Sequence, residues 1–322
     1  MTRGQVVKLT LAALMSAAVV AFLVGRVDVE FLAAEFKGAK IPWLVAAGAT
    51  LVPITGLRAW RFSLLLWRRR SAPPMGMCRI VAFMLFFNLI LPFKTGELSF
   101  PILARRAYDI PLGTSLGALV LVRVLDLLSV VAIGGLATLA LSQPMPPWVD
   151  GAAVLGAVCV PLLLAMPFAD RLGSAVGRGL TGLPPRLLNI AKELHAGLRA
   201  VREWPDYALL LGLTLAIWLM QFVVAWMTLQ AIGAHPFIHA VLASCAASVA
   251  FAFPVNGVAS VGPLQAAWSA ALSIVGTNWE QAVASAFLWH AVMLVETSLF
   301  AGLAALFPGR PAKGLEQDKG PA

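Results

Sequence analysis

Charge is scarce in this sequence. Asp, Glu, Lys and Arg supply 12% of the 322 residues, where a soluble domain carries about a quarter. With 60% of residues hydrophobic, that scarcity excludes a water-soluble globule and leaves an integral membrane protein. Cysteine is rare as well. Cys78, Cys159 and Cys245 lie far apart in apolar runs, with no CxxC and no metal spacing, so they read as small buried side chains. The four histidines contain no HExxH, so neither a protein-borne metal site nor a cofactor is expected. Long alternating strands are missing, which favours a helical bundle over a barrel. No basic stretch is interleaved with exposed aromatics, so the net charge of +9 does not signal a nucleic-acid partner. Basic loop residues fix the topology of a membrane protein instead.

What is present is a succession of apolar runs of about 18–25 residues, the length a helix needs to cross ~30 Å of hydrocarbon. Arg3 and Lys8 precede a run to Val24, read as an uncleaved first span with a cytoplasmic N-terminus. Residues 25–40 mix both signs and read as a loop. Full spans follow at 42–67, 112–141, 151–168, 207–232 and 280–307. Arg68-Arg69-Arg70 marks the cytoplasm. So does the one long polar segment, 169–206, in which Leu187, Ile190, Ala191, Leu194, Leu198 and Val201 recur at helical steps. That pattern predicts an amphipathic helix, either on the membrane surface or against the bundle. Residues 1–308 read as a single transmembrane domain and 309–322 as a disordered cytoplasmic tail.

Two stretches break this rhythm. Residues 78–91 are apolar but too few to span, Pro92 blocks continuation, and 98–104 are fewer still. With Lys94-Thr95-Gly96-Glu97 at the tip, they predict a re-entrant hairpin that enters and leaves on one side. Residues 236–253, the Gly/Pro-broken 254–265 and 266–275 repeat the design. Each half, about 42–141 and 207–307, runs full span, short arm, broken tip, short arm, full span. Glu97 to Arg123 is 26 residues and Gln265 to His290 is 25, so polar residues recur at matching places. If both hairpins return to the side they enter, seventeen basic residues fall in the cytoplasm, three outside and four within the membrane, which accounts for all 24. That bias places both termini in the cytoplasm. It also makes the two hairpins enter from opposite sides. The expected fold is an all-α integral membrane protein with about six full transmembrane helices and two re-entrant helical hairpins in an inverted repeat. The alternative, eight crossings, needs arms of 14 residues or fewer to bridge the core.

A broken helix leaves backbone groups that protein, water or ligand must satisfy, and half-helix N-termini favour anions. Charge at that depth is expensive. Arg58 and Arg61, three apart, share a helical face, as do Arg123 and Asp126. A phosphate entering here would meet Lys94, Arg123 or the Arg58/Arg61 face, since a planar guanidinium bonds two oxygens at once. Glu97 and Asp126 either neutralise these cations in the empty site or bind a cationic headgroup. The other reading is an ion-pair network that locks the hairpin into the bundle. Gly96 belongs to the tip. In the second hairpin the candidates are Asn256, Gly257, Gly262 and Gln265, with His290 on the span behind. His290 reads as a proton-linked group or as a hydrogen-bonded interior histidine. Glu296 reads as a structural or pairing residue, and Trp268, Trp279 and Trp289 as packing or interface residues. The acids lack a partnered nucleophile and there is no GxSxG, so no catalytic residue is assigned.

Leu91-Pro-Phe-Lys-Thr-Gly-Glu97, followed by Ala104-Arg-Arg106 and Leu121-Val-Arg-Val-Leu-Asp-Leu127, resembles the lysylphosphatidylglycerol synthase transmembrane, flippase-like family. That family carries Pro-x-x-x-Gly-Glu and then Arg-x-x-Asp on the following helix, matched here by Pro92, Gly96, Glu97, Arg123 and Asp126. Its second signature, a glycine-rich stretch ending in glutamate, corresponds to Pro254-Val-Asn-Gly257 through Val261-Gly-Pro-Leu-Gln265, with glutamine in place of the acid. The resemblance spans roughly residues 5–308. It implies a multi-pass protein of the cytoplasmic (inner) membrane of a prokaryote that moves lipid between leaflets. The full synthases add a soluble aminoacyl-transfer domain. The 15 residues after Phe307 are too few for one, so no enzymatic activity is expected. The leading expectation is translocation of a polar, phosphate-bearing membrane lipid. The alternative is a non-transporting lipid-binding partner of a membrane glycosyl- or aminoacyl-transferase.

Overall fold

Inside a bilayer every backbone N–H and C=O needs a partner within the protein, which selects helix. The computed structural model describes residues 17, 21–23, 25, 29–67, 74–141, 146–165, 203–253 and 258–306, and among them no strand occurs. The helices are α1 (Val29–Gly38), α2 (Ile41–Trp67), α3 (Pro74–Ile90), α4 (Ser99–Tyr108) and α5 (Leu112–Thr138). They continue as α6 (Pro147–Ala165), α7 (Trp204–Ile232), α8 (Phe237–Ala252), α9 (Pro263–Ile274) and α10 (Trp279–Leu306). Short 3₁₀ segments, Pro92–Leu98 and Val258–Ser260, stand between α3 and α4 and between α8 and α9. Proline fixes several of the starts. Pro111 and Pro236 precede α5 and α8 in extended conformation, and Pro263 opens α9.

Among the described residues, four helices are long and apolar enough to cross a membrane: Ile41–Leu66, Leu112–Thr138, Trp204–Ile232 and Trp279–Leu306. At 1.5 Å per residue the 27 residues of α5 reach about 40 Å, more than the hydrocarbon thickness. The chain is therefore a multi-pass, all-α membrane protein, and among the described residues it has four long spans, which does not reproduce the arrangement of six spans and two hairpins expected. The apolar part of α6, Val149–Ala165, is shorter than those four, and Pro161 interrupts its hydrogen bonding. The span expected before Val24 lies almost wholly outside the described residues, as do the tail and the amphipathic segment up to residue 202. Residues 25–40, expected as a loop, contain α1. Its mixed charges hid an apolar side: Phe31 and Leu32 pack with Leu23 and Val283.

The helices choose equivalent partners in the two halves. α2 lies along its counterpart α7. α3 packs against α10, while α8 packs against α5, so each short arm leans on the last long helix of the other half. One apolar core gathers Phe62, Phe100 and Leu125 with their neighbours, and the other gathers Leu229, Trp268 and Leu272. α6 stands beside α5 at a crossing that only glycine permits. A Cβ on Gly135 would lie 2.3 Å from the Ala152 carbonyl oxygen and 2.8 Å from Gly156 Cα. The Tyr207 hydroxyl donates to the Leu163 carbonyl, supplying a partner in the last turn of α6.

Candidate functional site

The described parts of the two broken tips are in contact. In the first, Gly96 is required by space. A Cβ there would lie 2.2 Å from both the carbonyl carbon and oxygen of Phe87, so the tip folds directly onto α3. Lys94, Ala259 and Ser260 all take positive φ (55°, 53° and 56°), a left-handed conformation that costs a non-glycine residue of order 1–3 kcal/mol and concentrates at functional sites. Each tip touches the other half. Ser260 Oγ donates to the Leu89 carbonyl at 2.9 Å, one of the carbonyls orphaned at the end of α3. The Lys94 ammonium sits 4.5 Å from the centroid of the Phe251 ring on α8.

From the first tip a line of charges runs into the bundle. Lys94 Nζ is 3.4 Å from Glu97 Oε1, and Arg123 Nη2 is 2.9 Å from the same oxygen. Arg123 Nη1 is 3.9 Å from Asp126 Oδ2. Asp126 is held far more tightly by Arg61, whose Nη1 and Nη2 donate to Oδ1 and Oδ2 at 2.6 and 3.0 Å. Arg61 Nη1 also donates to Thr214 Oγ1 at 3.1 Å, and Trp218 Nε1 donates to Asp126 Oδ1 at 3.3 Å. The fork-to-fork geometry makes Arg61–Asp126 the strongest pair of the set.

Against this network lies a cavity of about 150 Å³, bounded by α2, α3, the first tip, α5, α7, α8, α9 and α10. Arg58, Arg61, Lys94, Arg123 and Asp126 all line it, so the structure brings together the first-half candidates, with Glu97 bonded behind them. Two wall residues stand apart from the rest. Arg58 and Glu296 face the cavity, and neither forms a hydrogen bond or ion pair among the described residues. Glu296 is only 8% exposed. It was expected as a structural or pairing residue, and no pairing partner occurs among the described residues. Arg58 lies nine residues, about 14 Å, from the end of α2, and Glu296 ten residues, about 15 Å, from the end of α10. Both are therefore deep within the spans.

The second half contributes differently. The Gln265 side-chain oxygen accepts from the Gly262 N–H at 2.7 Å, capping α9, and Gln265 is fully buried away from the cavity wall. Gly262 adopts φ 124°, which glycine alone takes without strain. His290 is buried beside the Ala259 backbone, also behind the wall, and its Nε2 has no hydrogen-bond partner among the described residues. Asn256 and Gly257 lie outside the described residues. The polar residues that the second half presents to the cavity include Gln221, Ser244, Ser248, Glu296 and Thr297. The signal for Ser244 and Ser248 was in the sequence: two hydroxyls four apart on one face of a short apolar helix. Asn88 and Trp218 on the same wall carry no comparable pattern.

A family model described as Lysylphosphatidylglycerol synthase TM region matches residues 5–301, nearly the whole chain. No curated protein and no solved structure matches.

Proposed function

The chain belongs to the lysylphosphatidylglycerol synthase TM region family, and from that premise we propose that it moves a polar, phosphate-bearing lipid from one leaflet of its membrane to the other. The observation that carries this reading is Arg58. The other cations on the wall are already matched, Arg61 by Asp126 and both Lys94 and Arg123 by Glu97. Arg58 alone among these four has open space before it and no protein anion in contact. A guanidinium held deep in a membrane is costly without a partner, and a phosphate offers two oxygens in the geometry it binds. Glu296, across the same cavity, accepts a hydroxyl or ammonium donor from the rest of a headgroup.

The two tips act as gates on this reading. Each is a re-entrant break, and they approach the cavity from opposite sides in an inverted repeat. The Ser260–Leu89 bond and the Lys94–Phe251 contact hold them closed, and entry of a headgroup trades one set for the other. The basic-residue bias places both termini in the cytoplasm, and the membrane is the cytoplasmic membrane of a prokaryote. The residues bind and gate without making or breaking covalent bonds. Vesicles loaded with headgroup-labelled phosphatidylglycerol and quenched from outside test the proposal. Protein-bearing vesicles lose the inner-leaflet signal quickly. A decay equal to that of empty vesicles rules the proposal out.

A further inference from the structure

A second, larger hollow of about 520 Å³ lies between α5, α6, α8 and α9, and its lining is almost entirely apolar. It adjoins the charged cavity along α5, where Val130 lines both spaces. Arg123, Leu127 and Val130 face the cavity, and Val130, Gly134 and Thr138 face the groove. These positions follow steps of three and four, so they form one stripe. From Arg123 to Thr138 the stripe runs about 22 Å, charged at its first half and apolar at its second. α8 divides the two spaces in the same way. Ser244 and Ser248 face the cavity, while Cys245, Ala246 and Val249 face the groove. The cavity end also holds Glu296, more than nine-tenths buried and unpartnered.

We propose that this groove seats the hydrocarbon chain of the lipid whose polar end occupies the charged cavity, an inference that rests on the lipid reading above. A site for a free anion needs only the cavity. A site for a lipid needs a polar compartment beside an apolar one, and the two spaces here lie on either side of Val130. The chain lies toward the C-terminal end of α5, and the headgroup at Arg58 and Arg123.

The test uses the purified full chain in detergent, titrated with didecanoyl phosphatidylglycerol and separately with sn-glycerol 3-phosphate. Ala270→Trp and Ala246→Trp place an indole in the groove. Ala270 is exposed on its wall, so its variant leaves the packed cores intact, and an unchanged melting temperature verifies that. The expected result is a roughly tenfold weaker affinity for phosphatidylglycerol in both variants, with glycerol phosphate binding unchanged. Unchanged phosphatidylglycerol affinity overturns the groove assignment while leaving the headgroup reading standing. Variants that dissociate a dimer yet keep their lipid affinity assign the groove to a second copy of the chain and overturn the proposal too. If wild-type protein binds neither compound, the headgroup reading itself falls, and the groove assignment with it.

Discussion

Two arginines three residues apart on α2 have opposite surroundings. Arg61 is 2% exposed and doubly bonded to Asp126, while Arg58 lines the cavity with no ion-pair partner among the described residues. Their truncations should therefore separate. Arg61→Ala strands a buried carboxylate and is expected to cost about 3–5 kcal/mol of stability, read as a drop in thermal or denaturant midpoint. Arg58→Ala removes no hydrogen bond or ion pair among the described residues, so its midpoint should stay near the parent's. Its affinity for a phosphate-bearing lipid should fall roughly ten- to a hundredfold, the worth of a charge-assisted hydrogen bond of about 1.5–3 kcal/mol. The sequence marked both arginines, because any charge inside an apolar run stands out. It did not show that Arg61 pairs with Asp126, 65 positions away, because that contact exists only once α2 and α5 are packed. The surroundings of Glu296 were hidden for the same reason. A lone acid on a long span looks alike whether or not a partner faces it.

The elements were legible where prolines and glycines punctuate apolar runs. Pro92 and Gly96 located the first tip, and α8 and α9 fell within three residues of their expected bounds. α1 was hidden because alternating charges mask its apolar side. Glycines now divide into two kinds. Gly96→Ala and Gly135→Ala each push a methyl group into backbone at 2.2–2.3 Å, and both should lower the melting temperature of the purified protein. Gly212→Ala and Gly302→Ala meet nothing within 4 Å and should hold or raise it, since alanine is favoured over glycine in helices by about 0.5–1 kcal/mol. Equal effects at all four would contradict the close-approach account. At the second tip Gln265 serves as an acceptor for the Gly262 N–H. Gln265→Glu keeps that acceptor at a helix N-terminus, where negative charge is favoured, and should fold like the parent. Gln265→Leu should lose about 0.5–2 kcal/mol, the usual value of a cap.

For the whole molecule, the two halves exchange equivalent contacts around one cavity, with each short arm leaning on the other half. That arrangement was foreshadowed by the repeated order of spans and breaks. The division of labour within it was foreshadowed only in part. The first half supplies the ion-paired charges, while the second lines the cavity with Glu296 and the serines of α8, and Gln265 and His290 stand behind the wall. The most direct measurement of the central claim is the rate at which labelled phosphatidylglycerol changes leaflet in vesicles carrying wild-type, Arg58→Ala or Gly212→Ala protein at equal density. The account predicts rapid exchange with wild type and Gly212→Ala and exchange roughly tenfold or more slower with Arg58→Ala. Wild-type exchange no faster than in protein-free vesicles, or an Arg58→Ala rate equal to wild type, would contradict it.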